Sequence, residues 1–368
     1  MSTVYHTRRK RVIRHLQENG IEAALITSPS MIYYVTGFRS DPHERFLALL
    51  LDARSEEETL FAPELDAQSA GEQGTVEAIV PVSDTENPYE KLRKKLGSAV
   101  ASLAIEKNNV TVDKAESLQA IAPGVRFFNL TPFLEGMRMR KTSEEIAKVR
   151  LAIETIEKVM NHALTHVEAG MTELELTAEL EYQMKRFGAE KPSFETIVLT
   201  GRRSALPHGV PENAKIEEND FLLIDMGVVV QGYCSDITRT FLMGEGTAEQ
   251  EAIYEAVHAA NLRGIEAAHA GRTIASVDKA ARDEIAARGY GPYFTHRVGH
   301  GFGMDIHEYP SLHGENQDLI ETGLLFTVEP GIYVPEIGGV RIEDDLYIRE
   351  DGTAEVLTSF TKHLIRLG

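Results

Sequence analysis

Apolar positions recur along this chain with two periods, one helical and one strand-like. In residues 7–19 the helical period sets Val12, Ile13 and Leu16 on one face of a basic helix that Gly20 stops. Residues 23–26 read as a strand, residues 46–52 as a buried strand, and residues 59–62 as another. This alternation predicts an α/β layer domain at the N-terminal end. Arg138, Arg140 and Lys141 then form a short basic stretch, which places a boundary between domains of residues 1–138 and 139–368. Thr142 caps the next helix while Glu145 reaches back to it, and Ile146, Val149, Ile153, Ile156 and Met160 carry the helical period to about Val167. Thr172 with Glu175 opens a second helix in the same way, and it ends at Gly188.

The strand pattern then repeats. Residues 216–227 align without gaps to residues 320–331, an offset of 320 − 216 = 104. Each segment is polar, then an apolar strand, then an acid, one residue and a glycine. Upstream, Ala169-Gly170-x-Thr172 echoes Ala270-Gly271-x-Thr273. Two copies of one helix-helix-strand unit are expected.

Length and charge narrow the classes of function. A chain of 368 residues exceeds what one compact core usually holds. The formal charge of −19 repels phosphate, which argues against nucleic acid and anionic membranes as partners and suits a protein that holds cations. The single cysteine, Cys234, allows no internal disulfide and no cysteine-based zinc site, and a reducing cytoplasm is its natural setting. The longest apolar run, residues 46–51, is too short to span a bilayer, and the polar, basic residues 1–10 do not read as a secretory signal.

The chemistry is concentrated where carboxylates interrupt apolar runs. Asp225 breaks the run 221–230, and Glu329 breaks the second copy at the equivalent place. Burying an unpaired carboxylate costs several kcal/mol, roughly, or neutralises it, so positive charge is expected nearby. Asp236 and Glu343 follow their strand acids by 236 − 225 = 11 and 343 − 329 = 14 residues, with Gly232 and Gly338-Gly339 to turn the hairpins. Four carboxylates would converge, and two divalent ions would balance them. The stretch His296-Arg297-Val298-Gly299-His300-Gly301-Phe302-Gly303 adds imidazoles, with His307 just beyond. Its glycines are expected to let the backbone approach a ligand closely. His208 holds the corresponding place upstream in the first copy. Oxygen ligands with one imidazole suit Mn²⁺, Co²⁺, Fe²⁺ or Zn²⁺. The residues alone thus indicate a dinuclear metallohydrolase acting on an amide or ester.

In order and spacing, Asp225, Asp236, His300, Glu329 and Glu343 resemble the ligand set of the pita-bread metallopeptidases. Gly299-His300-Gly301-x-Gly303, Thr327-Val328-Glu329-Pro330-Gly331 and Gly339-Val340-Arg341-Ile342-Glu343-Asp344 carry the same resemblance. It covers the whole chain. It implies an α/β N-terminal domain of the creatinase/prolidase kind and an α+β pita-bread catalytic domain with a pseudo-twofold duplication. By that resemblance, Asp225 chelates one metal, His300 and Glu329 hold the other, and Asp236 and Glu343 bridge them, with manganese expected first and cobalt, zinc or iron as alternatives. His208 and His307 would be the acid and oxyanion-stabilising pair. The nearest branch is the Xaa-Pro dipeptidases (prolidases) of the short bacterial type. Some prolidases carry an arginine where this chain has Ser311, whereas the short bacterial type has one matching Arg297. The pocket for the substrate carboxylate would be built from Arg297, His296, Tyr333 and Arg341, with Phe194 and Tyr333 as an apolar cup for the proline ring. The resembled enzymes are homodimers, in which a loop matching residues 39–45, Asp41 included, reaches over the active site of the partner subunit. The alternatives weighed are an aminopeptidase P, which cuts longer peptides after the first residue, and a pita-bread module that binds without catalysis.

Overall fold

The computed structural model describes residues 2–97 and 99–368. It resolves into two compact units, Met1–Met137 and Arg138–Gly368.

The first unit is built on a six-stranded sheet in the order Ala78–Val82, Glu58–Pro63, Ala48–Asp52, Ala23–Ile26, Ser102–Ile105, Arg126–Asn129. Ala23–Ile26 runs antiparallel to Ala48–Asp52 and parallel to Ser102–Ile105. All three of these strands are buried along their length, as their continuous apolar runs require of a sheet covered on both faces. The first helix spans Ser2–Glu18, starting earlier than the hydrophobic pattern suggests because nothing in residues 2–6 breaks it. It is not simply a solvated basic face. The Arg9 guanidinium is buried against Glu58 (2.6 Å) and the Val35 carbonyl (2.7 Å), and Arg8 lies 3.7 Å from the Tyr34 ring centroid.

The second unit carries the duplication. Its first half comprises the helices Ser143–His166 and Glu173–Arg186 and a four-stranded sheet ordered Arg366–Leu367, Ile237–Met243, Phe221–Met226, Ile197–Thr200. Both helices open with the expected capping boxes, Thr142 with Glu145 and Thr172 with Glu175. The second half comprises Ala248–Ala267 and Ile274–Ala287 and a five-stranded sheet ordered Glu308–Leu312, Gly299–Gly301, Leu325–Val328, Asp344–Ile348, Ala354–Val356. The two halves repeat even in irregular hydrogen bonds. Gly170 N–H donates to the Ile216 carbonyl (2.8 Å), and Gly271 N–H to that of Ile320 (2.9 Å). In each half the helix pair covers one face of its sheet. Ile156, Val159, Leu176 and Leu180 pack with Ile224 and Met226, while Val257, Ala260, Val277 and Ala281 pack with Phe326 and Val328. Each buried Ile, Leu, Val, Met or Phe among these contributes about 1.5–3 kcal/mol relative to exposure, so the register that buries it is firmly set.

Candidate active site

That register decides where the carboxylates point. Along Phe221–Met226, Ile224 and Met226 face the helices, so Asp225 between them faces the other way. The neighbouring strand Ile237–Met243 pairs Thr238 with Asp225. Ile237, Phe241 and Met243 join the helix-facing core, so Asp236, Thr238 and Thr240 share the opposite face with Asp225. In the second half Phe326 and Val328 play the part of Ile224 and Met226, and Glu329 follows directly. Glu343 precedes Asp344–Ile348, and its N–H reaches the Thr238 carbonyl (3.2 Å) across the two halves.

Two glycine expectations need correction. Gln231-Gly232 does form a turn, with φ of 50° and 78°. Gly338 and Gly339, however, lie in the strand Gly338–Arg341, and the turn is made by residues 335–337. Gly339 is required because a Cβ there would stand 2.2 Å from the Ser204 carbonyl oxygen. Likewise, the glycines at 299 and 301 are required by close strand contact. A Cβ at 299 would meet the Thr327 carbonyl oxygen at 2.0 Å, and one at 301 the Tyr309 carbonyl oxygen at 2.4 Å.

Asp225, Asp236, Glu329, Glu343, His300, His208 and His307 line one cavity of about 340 Å³, together with Phe194, His296, Arg297 and Arg341. His300 Nε2 lies 3.7 Å from Asp236 Oδ2 and 3.5 Å from Glu329 Oε1. Asp236, His300 and Glu343 each offer a ligand atom within 4.8 Å of the others. His300 Nδ1 sits 3.1 Å from the Gly301 carbonyl, which can only accept; the ring proton is therefore on Nδ1 and Nε2 keeps a lone pair. Burial, and then the neighbouring His307, hold this imidazole neutral, with its pKa down at about 3.

The carboxylates are under electrostatic load. Burial, and then Glu343 and Asp225, push Asp236 well above the ordinary carboxylate range; burial, Glu329 and Asp225 do the same to Glu343. Glu329 rises to about 7, mainly from burial and against the opposing pull of Arg341. Asp225 Oδ1 and Glu343 Oε1 are buried without a hydrogen-bond partner. Orphaned oxygens, crowded acids and one imidazole with a free lone pair form a donor set that fits divalent cations.

The residues expected to read the substrate carboxylate fare unequally. Arg341 is committed: Nη2 donates to Asp225 Oδ2 (2.5 Å), Nη1 to the Tyr333 hydroxyl (2.9 Å) and Nε to Thr238 Oγ1 (3.1 Å). His296 has Nδ1 at the Arg297 carbonyl (2.7 Å) and Nε2 at the Tyr333 hydroxyl (2.9 Å), so both ring nitrogens are engaged, and burial lowers its pKa to about 4. Tyr333 is buried behind these two and does not line the cavity, so it cannot complete the apolar cup with Phe194. Arg297 remains: among the described residues its one hydrogen bond runs from Nη1 to Ser311 Oγ (3.0 Å), and no carboxylate pairs with it. Its guanidinium thus reaches Ser311, the position at which the resemblance implies an arginine in some prolidases. Asp41 belongs to the first unit, in an exposed turn that also holds His43 at a φ of 52°.

Supporting residues escaped the sequence pattern. Thr238 accepts from Arg341 and donates to Glu343 Oε2 (2.7 Å), passing one guanidinium's polarity to a carboxylate that Arg341 does not touch. Its alternation with Asp236 and Thr240 is a legible signal. Glu173 is another. Fully buried at the start of Glu173–Arg186, it accepts the N–H groups of Thr200 and Glu212 (both 2.9 Å) and Arg203 Nε (3.0 Å). It thereby pins both ends of the segment that carries His208. In sequence it is indistinguishable from a solvated first-turn acid.

Residues 147–350 match metallopeptidase family M24, and residues 8–140 match the creatinase/prolidase N-terminal domain. The chain is similar to the solved Xaa-Pro dipeptidase from Bacillus anthracis, at 34% identity and a TM-score of 0.92 over 99% of this chain and 100% of that one. A prolidase from Pyrococcus horikoshii is 36% identical, with a TM-score of 0.91 over 98% of this chain and 100% of its own. An X-Pro aminopeptidase from Thermotoga maritima is 31% identical, with a TM-score of 0.87 over 98% and 100%.

Proposed function

Since the chain belongs to metallopeptidase family M24, with a creatinase/prolidase N-terminal domain ahead of the catalytic one, we propose that it is a metal-dependent Xaa-Pro dipeptidase. The observation that carries this reading is the unpaired guanidinium of Arg297 in the wall of the carboxylate-lined cavity. A dipeptide presents a free carboxylate one residue beyond the scissile bond, and a bidentate cation there selects for that end.

Asp225, Asp236, His300, Glu329 and Glu343 would hold two divalent ions, manganese foremost for so oxygen-rich a set. When bound, such ions supply Lewis acidity to the scissile carbonyl and to the attacking water. His208 and His307 would donate to the carbonyl oxygen as negative charge develops on it, and one of them would deliver a proton to the departing proline nitrogen. That nitrogen carries no hydrogen in the imide bond, so it needs no acceptor in the ground state. Phe194 offers an apolar surface to the ring. Burial lowers the His307 pKa, so its imidazole is neutral near pH 7 and can both donate and accept.

We further propose a homodimer in which the exposed turn carrying Asp41 closes the amino-terminal end of the partner's site, and a cytoplasmic location, with which a single buried cysteine, Cys234, accords. Hydrolysis of Leu-Pro, Leu-Pro-Gly and Leu-Gly by metal-stripped protein given Mn²⁺, Co²⁺ or Zn²⁺ in turn tests the reading. Leu-Pro should be cleaved fastest. Preferential cleavage of Leu-Pro-Gly would instead identify an aminopeptidase P, the activity named for the Thermotoga neighbour.

A further inference from the structure

A second cluster of side chains with the chemistry to hold a metal ion lies away from the active-site cavity. His162 and His166 stand one turn apart at the C-terminal end of the helix Ser143–His166, and Glu179 belongs to the adjacent helix Glu173–Arg186. Each offers one ligand atom, and these atoms lie within 4.8 Å of one another. His162 Nε2 donates to Glu179 Oε1 (2.8 Å), so that ring proton must move to Nδ1 before Nε2 can bind an ion beside the carboxylate; the two imidazoles stack with centroids 3.6 Å apart.

The surroundings prepare His166 and Glu179 for coordination. The Thr165 hydroxyl donates to the His162 carbonyl (2.9 Å), so its oxygen is left to accept from His166 Nδ1, also at 2.9 Å. The His162 carbonyl accepts from the same Nδ1 at 3.0 Å. Both neighbours accept, which puts the His166 proton on Nδ1 and leaves Nε2 as a lone pair. Gln183 donates to Glu179 Oε1 (2.8 Å) and orients the carboxylate, as outer hydrogen-bond partners do at metal sites. The helix end itself carries partial negative charge from its last carbonyl groups, which favours a cation. Ligand atoms in a four-coordinate site with bonds of about 2.0–2.1 Å lie about 3.3 Å apart. Small rotations of these accessible side chains reach that spacing.

We propose that His162, His166 and Glu179 form a peripheral site for one divalent transition-metal ion of the zinc, copper or nickel class, completed by water. Two imidazoles to one carboxylate select such borderline ions over Mg²⁺ and Ca²⁺, and over Mn²⁺ by the ordinary affinity series. The ion would join the last turn of one helix to the next helix, and this pair covers Ile224 and Met226 beneath Asp225. Its role is thus to brace the first half of the catalytic unit, in chemistry unlike that of the carboxylate-rich centre.

The test titrates Zn²⁺ into full-length, Mn²⁺-loaded protein at neutral pH against a chromophoric chelator. Zn²⁺ can also displace Mn²⁺ from the catalytic centre, so the difference between proteins is read, not the total. Wild type should take up one more Zn²⁺ per chain than His166→Ala, and Glu179→Gln should raise the dissociation constant of that ion at least about tenfold. Gln183→Leu, which removes no ligand residue but takes away the hydrogen bond that orients Glu179, should weaken it by about ten- to a hundredfold. Zn²⁺ should raise the thermal midpoint of wild type more than that of His166→Ala. Turnover with Mn²⁺ alone should be the same in all four proteins. Equal Zn²⁺ uptake and equal thermal response in wild type, His166→Ala and Glu179→Gln would overturn the site and leave a plain surface ion pair.

Discussion

Replacing Glu173 by alanine probes how His208, the proposed catalytic histidine, is positioned. The wild-type carboxylate is wholly buried and holds the N–H groups of Thr200 and Glu212, twelve residues apart (212 − 200), with His208 between them. Alanine leaves two backbone donors without an acceptor, at about 1–3 kcal/mol each. Arg203 loses its partner too. It is a quarter exposed, though, and keeps Glu212 (3.1 Å) and the Val210 carbonyl (2.6 Å), so water recovers most of that term. The sum is about 2–6 kcal/mol, and about 3 kcal/mol is the expectation. At about 2–4 °C per kcal/mol for a unit of this size, the thermal midpoint of the metal-loaded protein should fall by about 6–12 °C. Metal content should stay at the wild-type level, because Glu173 is not a candidate ligand. Turnover of Leu-Pro should fall by up to about 10²-fold as His208 drifts, with a smaller change in KM. Glu173→Gln should lie between, since an amide accepts one of the two N–H groups but opposes the other. A Glu173→Ala protein with wild-type midpoint and wild-type turnover would refute the clamp. One that loses metal would show that Glu173 acts on the centre and not on the His208 segment.

Asp236→Ala and Glu343→Ala should each empty at least one metal site, with loss of most activity and of the thermal stability that binding supplies; elemental analysis giving two metals per chain in Asp236→Ala would contradict the bridging role. His208→Ala and His307→Ala should retain metal yet turn over about 10²–10³-fold more slowly, and metal loss with unchanged rate per bound ion would assign them to the wrong task. Arg297→Ala should raise KM for Leu-Pro far more than for its C-terminal amide, which carries no charge to pair; equal effects would remove Arg297 as the reader of the carboxylate. Mixing Asp41→Ala chains with His307→Ala chains should restore activity above either parent if the Asp41 turn acts on the partner's site, because the mixed dimer then has one intact site. No recovery despite proven subunit exchange would keep that turn out of it.

The sequence was most informative where burial and charge conflict. Asp225 and Glu329 stand out because a carboxylate inside an apolar strand is costly, and the repeat offset pairs them. The capping boxes at Thr142 and Thr172 were equally legible, since the hydrogen bonds close within one turn. What escaped depends on contacts distant in the chain. Arg341 could be expected in the pocket, but not that Asp225, Tyr333 and Thr238 would consume its donors. The glycines at 299, 301 and 339 look like ligand-approach or turn positions, whereas each yields to a backbone carbonyl from another segment. The pair His162 and His166 shows a helical spacing on its own, yet Glu179, the residue that makes it a cluster, sits one helix later.

The stitching of Glu343 to Thr238 has a consequence for how the enzyme is made. Of the candidate ligands, Asp225 and Asp236 leave the ribosome about a hundred residues before Glu343 (343 − 236 = 107). The first half can bury its own helix pair early, through local contacts. Its two acids meet their counterparts only when a long loop closes, a step that is slow and entropically late. Metal capture should therefore be among the last events of biogenesis, so that nascent or truncated chains hold no working centre. A half-made peptidase is thereby kept from cutting peptides, and catalytic competence requires that both halves of the catalytic unit have been synthesised and docked.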